Sequence, residues 1–126
     1  MTRHAFEYAV LRAVPRVDRG EFLNVGVLLY CQAKDFLGAR GHVDAARLRA
    51  VDGAVDVEAV EAAVGAVATA CAAEASAGPV AETSAGARFR WLTAPRSTVV
   101  QPGPVHAGLT EDPEWELDHL FHRLVL

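Results

Sequence analysis

Residues 5–14 read Ala-Phe-Glu-Tyr-Ala-Val-Leu-Arg-Ala-Val, and residues 24–31 read Asn-Val-Gly-Val-Leu-Leu-Tyr-Cys. In the first run two sets of side chains alternate, which is the period of a strand, and Pro15 ends the run. The second run is almost entirely apolar, as is typical of a central strand covered on both faces. A turn at 18–20 separates the two runs, and residues 36–40 predict a third strand. Together they predict an antiparallel meander.

Three later segments have the features of helices. Asp44 is a candidate N-cap for a short helix that ends at Val51, and Asp56 is one for a longer helix that reaches residue 76. Apolar residues recur in the longer helix at spacings of three and four: Val57, Val60, Val64, Val67 and Cys71. We expect this stripe to pack against the sheet, with a homodimer seam as the alternative. Asp112 followed by Pro113 predicts the start of a C-terminal helix.

Residues 87–93 alternate again, which predicts a fourth strand with Phe89 and Trp91 on one face and Arg88 and Arg90 on the other. Residues 80–86 are expected to form a loop. Residues 98–101 predict a short edge strand before the Pro-Gly-Pro turn at 102–104. The expected fold is a single α+β domain over residues 1–126, with a mainly antiparallel sheet of four or five strands and two main helices packed on it.

The composition excludes several classes of protein. With 126 residues, 52% of them hydrophobic, the chain suits one compact domain, and disorder is excluded as its main state. No stretch approaches the roughly 18 to 20 apolar residues of a membrane span, and the first residues lack the apolar core of a signal peptide. Cys31 and Cys71 are far apart in the sequence, and neither belongs to a metal-ligand motif. This favours the interpretation that both are small core residues of a protein in a reducing compartment. We therefore expect a cytoplasmic protein without membrane contact.

The formal net charge of −4 is unevenly distributed, since residues 1–51 carry +3 and residues 52–126 carry −7. An anionic partner would therefore meet the first part of the chain. The positive charge is scattered and no run of Lys and Arg is present, which argues against nucleic-acid binding.

Arg12 is the main candidate for a binding residue. It shares a strand face with Tyr8 and Val10, and a guanidinium buried there requires a carboxylate or a bound anion. Three alternatives remain open: the side chain extends into water, it pairs with Glu21, or it contacts a ligand. The neighbouring Arg16 and Arg19 could add to the same anion site. If the strands are adjacent, Arg88 and Arg90 could do so as well.

Two further groupings have weaker chemistry. Arg96 and Ser97 lie in a loop rich in hydroxyls that could hold a phosphate, although such loops commonly bond their own backbone. Ser97, His106 and Asp112 have the residue types of a nucleophile, a base and an orienting acid, a trio that also arises by chance. Glu116, His119 and His122 share one helical side, but no second cluster completes a coordination sphere, so no metal or other cofactor is expected.

Two stretches carry a family resemblance. The first comprises residues 8–16 and 19–30, and the second comprises residues 88–97 and 104–110. Together they resemble the bacterial family called domain of unknown function 3037 (DUF3037), and the resemblance spans nearly the whole chain. The resemblance implies a small soluble bacterial protein without an assigned activity. Members are often encoded beside a HipA-like kinase, which implies a protein partner, with such a kinase as one candidate. The family's motif positions correspond here to Arg12, Pro15, Arg16, Glu21, Asn24, Gly26, Arg88, Phe89, Trp91, Ser97 and His106.

We weigh two functions, and the sequence leaves open whether the chain is an enzyme. The first is a non-catalytic binding or accessory module, whose arginines meet an acidic or phosphorylated group of a protein partner. The alternative is a small enzyme or ligand-binding domain for an anionic or phosphorylated compound, with His106 as the only acid/base candidate. That alternative requires Arg12, Asn24, Ser97 and His106 to line one cleft. The candidate binding residues for either function are Arg12, Arg16, Glu21, Asn24, Arg88, Trp91, Arg96, Ser97 and His106.

Overall fold

The computed structural model describes residues 2–126 and contains one five-stranded antiparallel sheet. Its strands are β1 (His4–Ala13), β2 (Leu23–Cys31), β3 (Phe36–Gly41), β4 (Val100–Pro102) and β5 (His106–Thr110). The first three strands form the predicted meander. On the other side of β1, β5 pairs with its first half and β4 with its second half. The α+β class and the antiparallel sheet are confirmed.

Residues 2–126 also contain four α-helices and two 3-10 segments, the second of which is interrupted at Gly78. They are α1 (Ala45–Val51), α2 (Val57–Cys71), α3 (Ala85–Leu92) and α4 (Pro113–Leu124), with 3-10 turns at Gln32–Lys34 and Ala75–Glu82. Asp44, Asp56 and Asp112 each accept a hydrogen bond from a first-turn N–H, so the three predicted N-caps are confirmed. α2 ends before the predicted residue 76, because Ala73 adopts a left-handed φ of 55° in a Schellman-type ending.

The predicted strand over residues 87–93 is wrong, because these residues belong to α3 and its C-terminal cap. Ser84 accepts a hydrogen bond from the Ala87 N–H and starts a helix that the alternation had concealed. The two buried side chains of α3, Phe89 and Leu92, are three positions apart, which is a helical spacing. The sheet still has five strands because β5, a segment for which no strand was predicted, pairs with the first half of β1.

The helices lie on both faces of the sheet. One apolar cluster lies beneath α1, α2 and α3, and its largest fully buried side chains are Phe89, Leu28 and Leu48. The other lies beneath α4 and includes Val27, Leu29, Cys31, Leu117 and Leu120. Along β2, Leu28 belongs to the first cluster, whereas Val27 and Leu29 belong to the second. Because both faces of this strand are covered, its sequence is apolar on both faces.

A β-bulge at Val25 changes the register between β1 and β2. Leu11 pairs with Gly26, whereas Arg12 pairs with Asn24, so Val25 has no partner opposite it. Cross-strand partners share a face of the sheet, and the bulge therefore places the Arg12 and Asn24 side chains together on the α4 face.

Within residues 2–126 no single helix is long and apolar enough to cross a membrane. As a pair, α2 and the Ala75–Glu82 segment satisfy the length and composition test, with a bend of 48° between them.

Candidate functional site

The α4 face of the sheet is only partly covered. α4 packs across β2 and β3 and covers Phe6 at the start of β1, whereas the same face from Tyr8 onward on β1, with its partners on β4 and β5, is half-buried or exposed. We call this part the open face and define it by Tyr8, Val10, Arg12, Gln101 and His106. Four of these side chains are half-buried and His106 is exposed.

Arg12 lies at the centre of a small cluster on the open face. Its guanidinium carbon is 4.2 Å from the centroid of the Phe22 ring. On its other side lies Gly103, where a Cβ would come within 3.1 Å of both the guanidinium carbon and Nε. The guanidinium thus lies between an aromatic ring and a glycine backbone, and a larger residue at position 103 would require it to shift by a few tenths of an ångström.

The Arg12 guanidinium has no polar partner in the described part of the chain. Its Nε is buried without a hydrogen bond, and no carboxylate forms an ion pair with it. The ion pair with Glu21, one of the three sequence alternatives, does not form, because Glu21 accepts a bond from Arg19 at 2.5 Å. A partly desolvated charge without a counterion is unfavourable, and an incoming anion would relieve that penalty.

The amide neighbours of Arg12 are themselves held in place. The Asn24 Nδ2 donates to the Leu124 carbonyl oxygen at 3.0 Å, which ties β2 to the end of α4. The Gln101 Nε2 donates to the Thr98 carbonyl oxygen at 2.9 Å. Both residues pair directly with Arg12 across the sheet, so the cluster is built on three strands.

The other candidate arginines are bonded within the chain. Arg16 Nη2 donates to the Asp18 carboxylate at 2.8 Å, and this hydrogen bond lowers the pKa of Asp18 and raises that of Arg16. Arg88 donates to the Thr83 carbonyl oxygen at 2.5 Å and to the Cys71 carbonyl oxygen at 3.5 Å, clamping α3 to the end of α2.

Arg90 and Arg96 are also engaged. Arg90 forms a bidentate pair with Glu7, whose hydrogen bond raises the pKa of Arg90. The Arg96 guanidinium donates to the Trp91 carbonyl oxygen and stacks 5.1 Å from the Trp91 ring centroid. The strand face that the sequence assigned to Arg88 and Arg90 does not exist, because both lie on α3.

The conceivable Ser97, His106 and Asp112 trio is not assembled. Ser97 is exposed in the loop after α3, whereas Asp112 caps α4. The His106 ring packs against the Tyr8 ring with centroids 5.2 Å apart and the two planes tilted by 33°. Tyr8 and Arg12 are four residues apart on β1, so His106 lies roughly 13 Å along the strand from the Arg12 cluster. Of the four residues that the enzyme alternative requires in one cleft, only Arg12 and Asn24 are direct neighbours.

The imidazoles of α4 are occupied by other contacts. His119 stacks on Trp115 with ring centroids 4.8 Å apart, and His122 Nδ1 lies 2.8 Å from the Asp118 carbonyl oxygen. In the described range, residues 2–126, no three His, Cys, Asp or Glu side chains are grouped so that they could hold a metal ion.

Both cysteines are buried free thiols. Burial raises the pKa of Cys71 to about 12, so its nucleophilic thiolate is scarce at neutral pH. This agrees with the expectation that both are small core residues.

Sequence reasoning missed two parts of the Arg12 cluster. Phe22 precedes β2, where no local pattern distinguishes it, and 45% of it remains exposed although it stacks on Arg12. Gly103 was interpreted only as part of a turn, whereas it is buried against the guanidinium. The sequence indicated only a glycine between two prolines, and nothing in that pattern shows that Gly103 contacts Arg12.

Comparison with known proteins assigns the chain to a family. A family model described as protein of unknown function (DUF3037) matches residues 8–125, which is nearly the whole chain. No curated protein and no solved structure matches the sequence at a significant level. The matched range contains every residue of the Arg12 cluster, and the resemblance carried by the two sequence motifs is confirmed: the chain belongs to the DUF3037 family.

Proposed function

We propose that the protein is a non-catalytic binding module, which uses the open face to hold a protein partner and Arg12 to pair with an acidic or phosphorylated side chain of that partner. The observation that carries this proposal is the Arg12 guanidinium, partly desolvated and without a counterion. A guanidinium forms bidentate hydrogen bonds with carboxylate and phosphate oxygens, which makes those groups its natural complement.

The surroundings of Arg12 favour a protein over a small molecule. Five hollows of about 440 to 660 Å³ lie elsewhere on the molecule, and Arg12 lines none of them. Small-molecule sites are concave, whereas protein interfaces are flatter and combine aromatic side chains with arginine. Arg12, the exposed Phe22 ring and the adjoining Tyr8 and His106 rings match the second description.

A role as an anchor also explains the rigidity of the cluster. Hot-spot residues contribute most when they are held in their bound geometry before the partner arrives. Phe22 and Gly103 fix the guanidinium plane from two sides, and Asn24 fixes the neighbouring strand against α4. Among protein partners, the family resemblance alone suggests a HipA-like kinase, which makes a purified kinase of that class an informative probe.

The first test measures anion binding at Arg12 itself. The Nε–H resonance of a buried arginine can be followed by nuclear magnetic resonance while a glycine-flanked phosphoserine peptide, its glutamate and serine counterparts, or inorganic phosphate is added. We expect a saturable shift of the Arg12 resonance with the phosphoserine or glutamate peptide, and no shift of the Arg16 resonance, since Arg16 already pairs with Asp18. No shift with either acidic peptide, or a shift with inorganic phosphate alone, would overturn the proposal.

The second test asks whether a protein occupies the open face in cells. A photo-crosslinking amino acid at Val10 on the open face is compared with one at Glu58, which is exposed on α2. We expect one protein to crosslink at residue 10, at least about tenfold less in an Arg12→Met background, as for an interface hot spot. Arg16→Met is the matched control and should leave the crosslink unchanged. A crosslink that persists without the Arg12 guanidinium would contradict the proposed anchor.

A further inference from the structure

The largest of the five hollows lies on the opposite side of the sheet from the open face. It measures about 660 Å³ and runs between α2, the Ala75–Glu82 segment, the end of α3 and β4. This volume lies within the range of sites that hold small molecules. α2 lines one wall with small side chains, so the hollow is not filled from that side: Ala62, Ala63, Gly65, Ala66 and Ala70.

The opposite wall is apolar and aromatic. Trp91, of which 52% is exposed, stands in it beside Val80 and Leu92. The same Trp91 side chain also lines a second hollow of about 530 Å³, which shares Ala77 and Val80 with the first. The Arg96 guanidinium covers one face of the indole, and the rest of the Trp91 side chain forms the boundary that the two hollows share.

Arg96 supplies the one charged side chain among the lining residues of the larger hollow, and no Asp or Glu lines it. Its Nε and Nη2 donate to the carbonyl oxygens of Ala94 and Trp91, which leaves Nη1 without a partner in the described chain. The two lining threonines already donate their hydroxyls to backbone carbonyl oxygens: Thr69 to Gly65 at 3.0 Å and Thr98 to Val100 at 2.7 Å. The hollow thus presents one oriented positive charge above an apolar surface.

We infer that this hollow is a second binding site, which takes a small amphipathic anion: an aliphatic or aromatic carboxylate whose apolar body lies against Trp91 and α2 and whose carboxylate meets Arg96. The inference rests on none of the residues of the open face and is independent of the proposed partner binding. Apolar burial would supply most of the affinity, and the charge-assisted bond to Arg96 would orient the head group.

The experiment uses sodium decanoate, below its micellar concentration, as the probe. In a Trp115→Phe background Trp91 is the only tryptophan, so its fluorescence reports directly on the hollow. We expect a saturable change in Trp91 emission. Ala66→Leu, which fills the hollow from α2, should weaken binding by at least about tenfold. Ala68→Leu is the matched control, because Ala68 is exposed on the same helix outside this hollow.

The charge is tested separately. Arg96→Gln should weaken decanoate about tenfold and change the affinity for neutral decanol less than twofold, with Arg96→Lys restoring part of the difference. No change in Trp91 emission, or equal effects of Ala66→Leu and Ala68→Leu, would overturn the inference. Analytical ultracentrifugation of the protein without decanoate tests for a dimer. A dimer that Ala66→Leu abolishes would show that a second copy of the chain covers the hollow, which would also overturn the inference.

Discussion

The two faces of the sheet treat their arginines differently. On the face covered by α1, α2 and α3, the guanidinium of Arg88 donates to two carbonyl oxygens, and that of Arg90 donates to the Glu7 carboxylate on the inner strand β1. On the open face, Arg12 is stacked and confined but has no polar partner in the described chain. Arg88 and Arg90 therefore stabilise the fold by linking different elements, whereas Arg12 is positioned by its neighbours without bonding to them.

This contrast shows which observation separates a structural arginine from a binding one. The sequence has 11 arginines against one lysine, so the presence of an arginine in a motif carries little information. Burial alone is equally uninformative, because Arg88 and Arg12 both have a buried Nε without a hydrogen bond. The difference lies in the terminal nitrogens, which Arg88 uses for backbone contacts and Arg12 leaves free for an anion.

The largest expected effect compares one aromatic residue from each face. Phe89 is fully buried beneath α3 against Tyr30, whereas Phe22 is 45% exposed on the open face. Phe89→Ala should reduce the free energy of unfolding by about 3–5 kcal/mol, as large-to-small core substitutions do. Phe22→Ala should reduce it by less than about 1 kcal/mol, since only surface packing and a cation–π contact are lost. Urea denaturation measures both, and an equally large loss for Phe22→Ala would mean that the open face is part of the core.

An intermediate effect compares the two arginines by the same substitution. Arg88→Met removes hydrogen bonds from a charged donor to two carbonyl oxygens and should destabilise the fold by about 2 kcal/mol. Arg12→Met retains the packing against Phe22 and removes a desolvated charge, so stability should be unchanged or higher. Thermal unfolding at equal protein concentration distinguishes the two. A loss above about 1 kcal/mol for Arg12→Met would assign Arg12 a structural role instead.

Elements that are determined by residues close together in the sequence could be predicted, and elements that depend on distant contacts could not. The meander and the capped helices were predictable, because alternation in β1 and an Asp before each of α1, α2 and α4 act within a few residues. α3 was missed because in Arg88-Phe89-Arg90-Trp91 the alternation of charge and aromatic ring has the period of a strand, whereas burial selects Phe89 and Leu92. The Ser84 N-cap was the local feature that could have corrected it.

The candidate site depended on contacts that no local pattern contains. Sequence reasoning singled out Arg12 and Asn24, and the bulge at Val25 brings them side by side. Gly103 reaches Arg12 only because β4 pairs with the second half of β1, a pairing that sequence distance does not reveal. For the same reason no local pattern shows that Glu21 accepts a hydrogen bond from Arg19 instead of Arg12.

The smallest expected effect concerns Arg16, which forms an ion pair with Asp18 while both side chains are exposed. The hydrogen bond from Arg16 lowers the pKa of the exposed Asp18 below its ordinary value of 3.8. A carboxylate with a lowered pKa adds stability above the pKa of its unfolded state, and this increment is lost as the pH falls through the folded-state value. Carbon resonances of Asp18 should therefore titrate below pH 3.8, and in Arg16→Gln they should titrate closer to it.

In the same Arg16→Gln variant, the loss of unfolding free energy between about pH 5 and pH 3 should be slightly shallower than in the unchanged protein. The difference should be small, because solvent screens an exposed pair. An unaltered Asp18 titration in the variant would show that the pair does not persist in solution, and Arg16 would then be as free as Arg12 to meet an anion. Arg12 would still differ from it in burial, and a guanidinium that is partly desolvated and confined between Phe22 and Gly103 loses less on binding than one that must give up more water and mobility.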